Sequence, residues 1–137
     1  MATTLNPYLN FDGNTREAME FYRDVFGGEL SIMTFGDMGT EGPEAEGVMH
    51  SSLASENGLA LMASDMPPGS AFEAGNNFGV SLSGDDEDEL MGYWHKLSDG
   101  GSVTVPMEKQ MWGDAFGMCA DKYGTSWLVN IVGAPST

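Results

Sequence analysis

Alternation with a period of two opens the chain. Leu5, Pro7, Leu9 and Phe11 interleave with Asn6, Tyr8 and Asn10, which predicts a strand with one apolar and one mixed polar face. Asp12-Gly13 ends it, and the period then lengthens to that of a helix, with Ala18, Met19, Tyr22, Val25 and Phe26 at helical spacing. Asn14, with Glu17 three residues later, reads as the helix N-cap, and Gly27-Gly28 as its stop. Strands are predicted over 29–35 and 48–55, on either side of a glycine-rich acidic loop from Gly36 to Gly47. An Asn57-Gly58 turn then leads into a strand over 59–63. The order so far is β, α, β, β, β.

Pro67-Pro68-Gly69 and the small polar residues up to Asn76 read as a connection. From Asn77 the pattern begins again with a strand to Ser83, then an acidic helix start at Asp85 to Glu89 with Leu90, Tyr93, Trp94 and Leu97 on one face. After Gly100-Gly101 come a short strand over 102–105, a loop through Trp112, and strands over 115–120 and 126–132. In the letters, residues 6–13 line up with 77–84, and each helix has an aromatic pair (Phe21-Tyr22, Tyr93-Trp94) and a closing Gly-Gly. The predicted class is α+β: one domain over 1–137, built of two βαβββ modules at about 5–66 and 77–132.

One amphipathic helix covers only one face of each module's sheet. The other faces carry Asn6, Tyr8 and Asn10, then His50, Ser52 and Ala54, then Asn77, Gly79 and Ser81, then Ser126, Leu128 and Asn130. If two mixed, mainly antiparallel sheets curl toward each other, these stripes enclose a cleft with a few polar groups among apolar walls, the usual composition of a small-molecule site. Plain solvent exposure is the competing explanation for the same residues. The loop from Met107 to Phe116, with Gln110 and Trp112, is expected to form a lid or wall, or to pack Trp112 into the core.

Composition narrows the partners. Twenty-one Asp and Glu against five Lys and Arg give a formal charge of −16, and the sequence offers no basic stripe for nucleic acid phosphates or an anionic membrane. Abundant acid also suits a salty cytoplasm that screens self-repulsion. The absence of a basic-then-apolar leader and of a long apolar run makes the cytoplasm the expected location. The single cysteine, Cys119, falls in an alternating strand pattern, where a small buried hydrophobe is the commoner role than a reactive thiol.

Several segments together carry a family resemblance. They are Tyr8-Leu9-Asn10-Phe11 with Gly13-Asn14, Phe21-Tyr22 with Phe26-Gly27-Gly28-Glu29-Leu30, Met49-His50, Leu61-Met62-Ala63-Ser64-Asp65, Trp112 with Phe116-Gly117, and Asp121-Lys122-Tyr123-Gly124 with Trp127 and Asn130. From about residue 5 to 132 the chain resembles the PhnB-like proteins of the vicinal oxygen chelate superfamily (glyoxalase, bleomycin resistance protein and extradiol dioxygenase), a group also labelled demethylubiquinone methyltransferase-like. The resemblance implies paired βαβββ modules, a homodimer and a ligand cleft. In metal-dependent relatives, His or Glu on the first and last strands of the modules hold a divalent ion.

Here those strands offer Asn6, Tyr8 and Asn10, then Leu61 and Ala63 or Ala60 and Met62, then Asn77, Gly79 and Ser81, then Leu128 and Asn130, none of them His or Glu. No metal or other cofactor is therefore expected. His50 lies on a middle strand, and His95 on a charged, solvent-facing part of the second helix. The methyltransferase label finds no glycine-rich turn after a parallel strand to cradle an adenosyl group, and the phosphonate association of the PhnB name finds no arginine cluster.

The expected function is metal-free binding of a small molecule by Tyr8, Asn10, His50, Gln110, Trp112 and Asn130. The alternatives are a metal-independent or divalent-metal enzyme of lyase, isomerase or dioxygenase type with His50 as general acid or base and Asp65 as its partner, or a purely structural oligomer.

Overall fold

The computed structural model describes residues 3, 5–67, 70–73, 75 and 77–133, so Pro68, Gly69, Ala74 and Asn76 of the expected connection lie outside the described residues. Backbone contacts divide the chain into two compact units, residues 1–73 and 74–137.

The first unit runs β1 (Tyr8–Phe11), α1 (Thr15–Phe26), β2 (Glu29–Thr34), β3 (Val48–Ala54) and β4 (Ala60–Asp65). Two short 3-10 turns, Gly36–Met38 and Pro43–Glu46, lie within the acidic loop. The second unit runs β5 (Val80–Gly84), α2 (Glu87–Ser98), β6 (Ser102–Lys109), β7 (Ala115–Ala120) and β8 (Ser126–Ile131). The sheet orders are β1-β4-β3-β2 and β5-β8-β7-β6, which is one topology used twice. In each sheet the outer pair β1/β4 or β5/β8 is parallel and the remaining pairs are antiparallel. The α+β class and the βαβββ repeat thus hold.

Each helix buries most of the stripe its sequence predicts, with Phe26 and Tyr93 only half-buried. In α1 it is Thr15, Ala18, Met19, Tyr22 and Val25, packed on the face of the first sheet that carries Leu9, Phe11, Leu53, Leu61 and Ala63. In α2 it is Leu90, Trp94 and Leu97, set against Leu82, Cys119, Trp127, Val129 and Ile131. Cys119 is a core residue, and burial together with the nearby Asp121 charge pushes its thiol up to about 11.

The doubled glycines stop both helices by two different means. Gly27 (φ 74°), Gly28 (φ 99°) and Gly100 (φ 78°) take positive φ, and Gly28 and Gly101 leave no room for a side chain. A methyl on Gly28 would strike the Ala54 carbonyl, and one on Gly101 the Ala120 carbonyl.

Five expectations are corrected. β1 starts at Tyr8, its ladder opening with the Met62 N–H donating to the Pro7 carbonyl at 3.1 Å, and Leu5 is fully exposed. β5 starts at Val80, not Asn77. Asn14 makes no side-chain cap; the Thr15 N–H instead donates to Asp65, a residue fifty positions away that spacing within the helix cannot reveal. β6 is eight residues long and runs through Pro106, which an edge strand with register shifts tolerates because it needs no N–H there. Last, the letter match between the halves is out of step by two. Tyr8 pairs with Met62, the third residue of β4, and Ser81 with Leu128, the third of β8, so Tyr8 corresponds to Ser81 rather than Gly79. An even shift keeps every side chain on its predicted face, so the two-face reading survives the misalignment.

Candidate functional site

The helix-free face of the first sheet gathers three of the six candidates. The Tyr8 hydroxyl and His50 Nδ1 lie 3.1 Å apart across the intervening strand β4, and the two rings stack with centroids 5.7 Å apart and planes 27° from parallel. Either the phenol donates to Nδ1, leaving Nε2 as an N–H donor, or Nδ1–H donates to the phenol oxygen, leaving Nε2 as an acceptor and base. In both forms the ring is held by its other nitrogen, and Nε2 has no partner among the described residues. Asn10 Oδ1 accepts from Ser64 Oγ at 3.3 Å. Met33 pairs with His50, and Met62 with both Tyr8 and Ser52. Tyr8 and Met33 are 44% and 41% exposed, so this face offers an aromatic ring and thioethers beside its polar groups.

The other three candidates meet at one end of the second sheet, around Asp114. Asn130 Nδ2 donates to Asp114 Oδ2 at 3.0 Å, and the Gly133 N–H to Oδ1 at 2.9 Å. These two bonds, with a further one from the Trp112 side chain, hold the Asp114 carboxyl below its ordinary 3.8. Gln110 is a turn residue: its N–H donates to the Asp114 carbonyl (2.7 Å), its carbonyl accepts from Gly113 (3.0 Å), and its amide donates to the Glu108 carbonyl (2.8 Å). The expected ten-residue lid is thus a tight β6–β7 turn, with Met107 in β6 and Phe116 in β7. Trp112 is 64% exposed at the tip, not part of the core.

Sequence reasoning missed Ser64, Ser83, Met33 and Met62 as members of these faces. For Met62 and Ser64 the sequence shows the alternation but not its phase, which the ladders Tyr8↔Met62 and Asn10↔Ser64 fix. Asp65 is corrected as a partner for His50. It is buried, Oδ1 accepting from the Thr15 N–H (3.0 Å) and hydroxyl (2.7 Å) and Oδ2 from the Val48 N–H (2.8 Å). Asp121 has a similar framework role, accepting from Tyr123, Thr125 and the buried Trp127 indole, so the Asp-Lys-Tyr-Gly segment is a turn pinned from within.

A cavity of about 890 Å³ in the first unit lies at the N-terminal end of α1, lined by Arg16, Glu17, Phe35, Glu46, Asp65 and Met66 among others, and it includes none of the six candidates. Asp65 already supplies the negative charge that helix end favours.

The residues do not fit a divalent ion of the kind metal-dependent relatives hold. The helix-free positions of the outer strand pairs are Tyr8, Asn10, Met62 and Ser64 in one sheet and Ser81, Ser83, Leu128 and Asn130 in the other. Neutral amides and hydroxyls offer no charge to offset an ion's lost hydration, and the Asn10 and Asn130 amides are already engaged. Among the described residues, no group of three or more His, Cys, Asp and Glu stands close enough together to hold a metal.

Comparison with known proteins places the chain in a family. A family model described as 3-demethylubiquinone-9 3-methyltransferase matches residues 3–130. Protein PA1353 from Pseudomonas aeruginosa is 34% identical with a TM-score of 0.87, over 97% of this chain and 100% of that one. The PhnB protein from Bacillus cereus is 26% identical with a TM-score of 0.73, over 95% and 100%. Protein YjdN of Escherichia coli (strain K12) is 27% identical over 93% of this chain and 95% of its own length. At 11% identity, where only the fold is comparable, a glyoxylase/bleomycin resistance protein/dioxygenase domain from Frankia sp. EAN1pec superposes with a TM-score of 0.66, over 96% and 98%.

The family description implies an adenosyl methyl donor, which these sheets do not fit. Each has one parallel pair and no glycine-rich strand-to-helix turn, and the Asp65 carboxylate occupies the first N–H of α1. Topology, family match and relatives agree: the fold is like that of the glyoxylase/bleomycin resistance protein/dioxygenase domain, and the chain belongs to the PhnB-like family described as 3-demethylubiquinone-9 3-methyltransferase.

Proposed function

We propose that the protein captures a small, partly apolar molecule on the helix-free faces of its sheets without a metal ion, as one domain acting in a homodimer. The observation that carries this reading is the Tyr8–His50 pair. Two rings are fixed by mutual stacking and a 3.1 Å hydrogen bond, beside exposed Met33, with His50 Nε2 unengaged. A side chain already held in place loses little freedom when a ligand docks, so its contacts contribute more to affinity. Ser52, Met62 and the Asn10–Ser64 pair extend the wall, and Asn130 and Trp112 are the corresponding anchors in the second unit.

The alternative, His50 as a general acid or base, keeps the geometry of Nε2 but loses the expected carboxylate, because both Asp65 oxygens are engaged elsewhere. Capture is therefore the reading we adopt.

The test is a thermal-shift and calorimetric screen of metabolites against protein treated with EDTA, with native mass spectrometry for oligomeric state. Micromolar binding that survives EDTA and falls at least tenfold in Tyr8→Ala is expected. Binding that returned only with an added divalent ion would overturn the metal-free reading. Turnover abolished by His50→Ala would favour the enzymatic one.

A further inference from the structure

The residues on the helix-free faces differ in charge from the rest of the chain. Residues of this protein are 19% charged, mostly acidic, and a face that merely met solvent would carry several carboxylates. On the inner strands β4, β3, β8 and β7 and the outer β1 and β5, the helix-free positions hold only Tyr, Asn, Ser, His, Met, Ala, Phe and Leu. Glu29 and Glu108 share these faces but stand on the far edge strands β2 and β6, opposite Ala54 and Phe116. Asp65, on a central strand, points to the other face, into its ring of donors.

We infer that the ligand is an uncharged, ring-containing molecule with one hydrogen-bonding group, stacked on Tyr8 and addressed by His50 Nε2. This rests on the capture reading and adds the ligand's charge and shape. A carboxylate or phosphate moved onto these faces would lose hydration and meet no counter-charge there, and an ammonium stacked on Tyr8 would find the first sheet's helix-free carboxylate, Glu29, only on the far edge strand β2. Anions are further repelled by the acidic remainder of the molecule. Cations gain only a field screened within about 10 Å at 0.1 M salt. A neutral ring loses little on leaving water and gains an offset stack on an aromatic pair that is already aligned. The His50 ring nitrogen left open supplies direction, since it donates or accepts according to tautomer.

Three probes of matched ring and different charge test this at pH 7.5 and 0.15 M salt: 1-naphthol, 1-naphthoate and 1-naphthylmethylammonium, titrated by fluorescence against the full chain and against Tyr8→Ala and His50→Ala. Naphthol is expected to bind at least tenfold tighter than either charged probe. Tyr8→Ala should weaken naphthol at least fivefold, and His50→Ala should do the same, with both variants still folded by circular dichroism and melting cooperatively. Equal or tighter binding of naphthoate or the ammonium would overturn the charge selection while leaving capture intact. The same holds if no naphthyl probe binds but other compounds from the metabolite screen do. No binding in either experiment would overturn both readings.

Discussion

Asp65 takes the place of a candidate catalytic group with a structural one, and the number of donors it accepts decides between the two. Its carboxylate is 6% exposed and accepts from two backbone N–H groups and one hydroxyl, joining the start of α1 to the start of β3. Each buried donor stripped of its acceptor costs about 1–3 kcal/mol. Asp65→Ala is therefore expected to destabilise the protein by roughly 3 kcal/mol or more, and Asp65→Asn, which keeps one acceptor oxygen, by less. The midpoint of urea unfolding measures both, and a loss under about 1 kcal/mol for alanine would contradict the assignment. The residue identities at Tyr8, Asn10 and His50 were legible because period-two alternation puts them on one face. The Tyr8–His50 hydrogen bond was not, because it spans forty-two positions of sequence across β4.

At the scale of elements, the glycines separate local signals from tertiary ones. Gly92 sits in the interior of α2 with nothing within 4 Å of a would-be methyl, so Gly92→Ala is expected to raise stability by about 0.5–1 kcal/mol through helix propensity. Gly101 has no such room: a methyl there would meet the Ala120 carbonyl and the Asp121 backbone, so Gly101→Ala is expected to cost about 2 kcal/mol or more. Thermal unfolding of the two variants should move in opposite directions. The sequence marks both as glycine, and the Gly-Gly stop was readable as such. That the second glycine of each pair is required by a neighbouring strand became visible only with the strands in place. Helix α2 shows the opposite case, where local reading suffices: Asp86 caps it by accepting from the Glu89 N–H at 3.1 Å, inside the acidic start that the sequence marks.

For the whole molecule, charge is the dominant fact. A net −16 on 137 residues with five cations leaves a self-repulsion that counterions relieve. The melting temperature is expected to rise by several degrees between 0.05 and 1 M KCl and then level off, by calorimetry at pH 7.5. A flat or falling curve would mean that the acidic shell is not a source of instability. No helix among the described residues is long and apolar enough to cross a membrane. The six candidate residues form two groups, Tyr8, Asn10 and His50 on the first sheet and Gln110, Trp112 and Asn130 around the β6–β7 turn and Asp114.

Periodicity and punctuation determined the elements, because helix and strand patterns repeat every 3.6 and 2 residues and glycine pairs stop them locally. They also determined the duplication and which residues share a face, since strand parity survives even a two-residue error in alignment. Strand order, register and the partners of buried polar groups were decided by the tertiary structure alone. The parallel pairing of β1 with β4 and of β5 with β8, the Asp65 cap on α1 and the Tyr8–His50 contact all join residues far apart in the chain. Their energies depend on distances in space that no local spacing encodes.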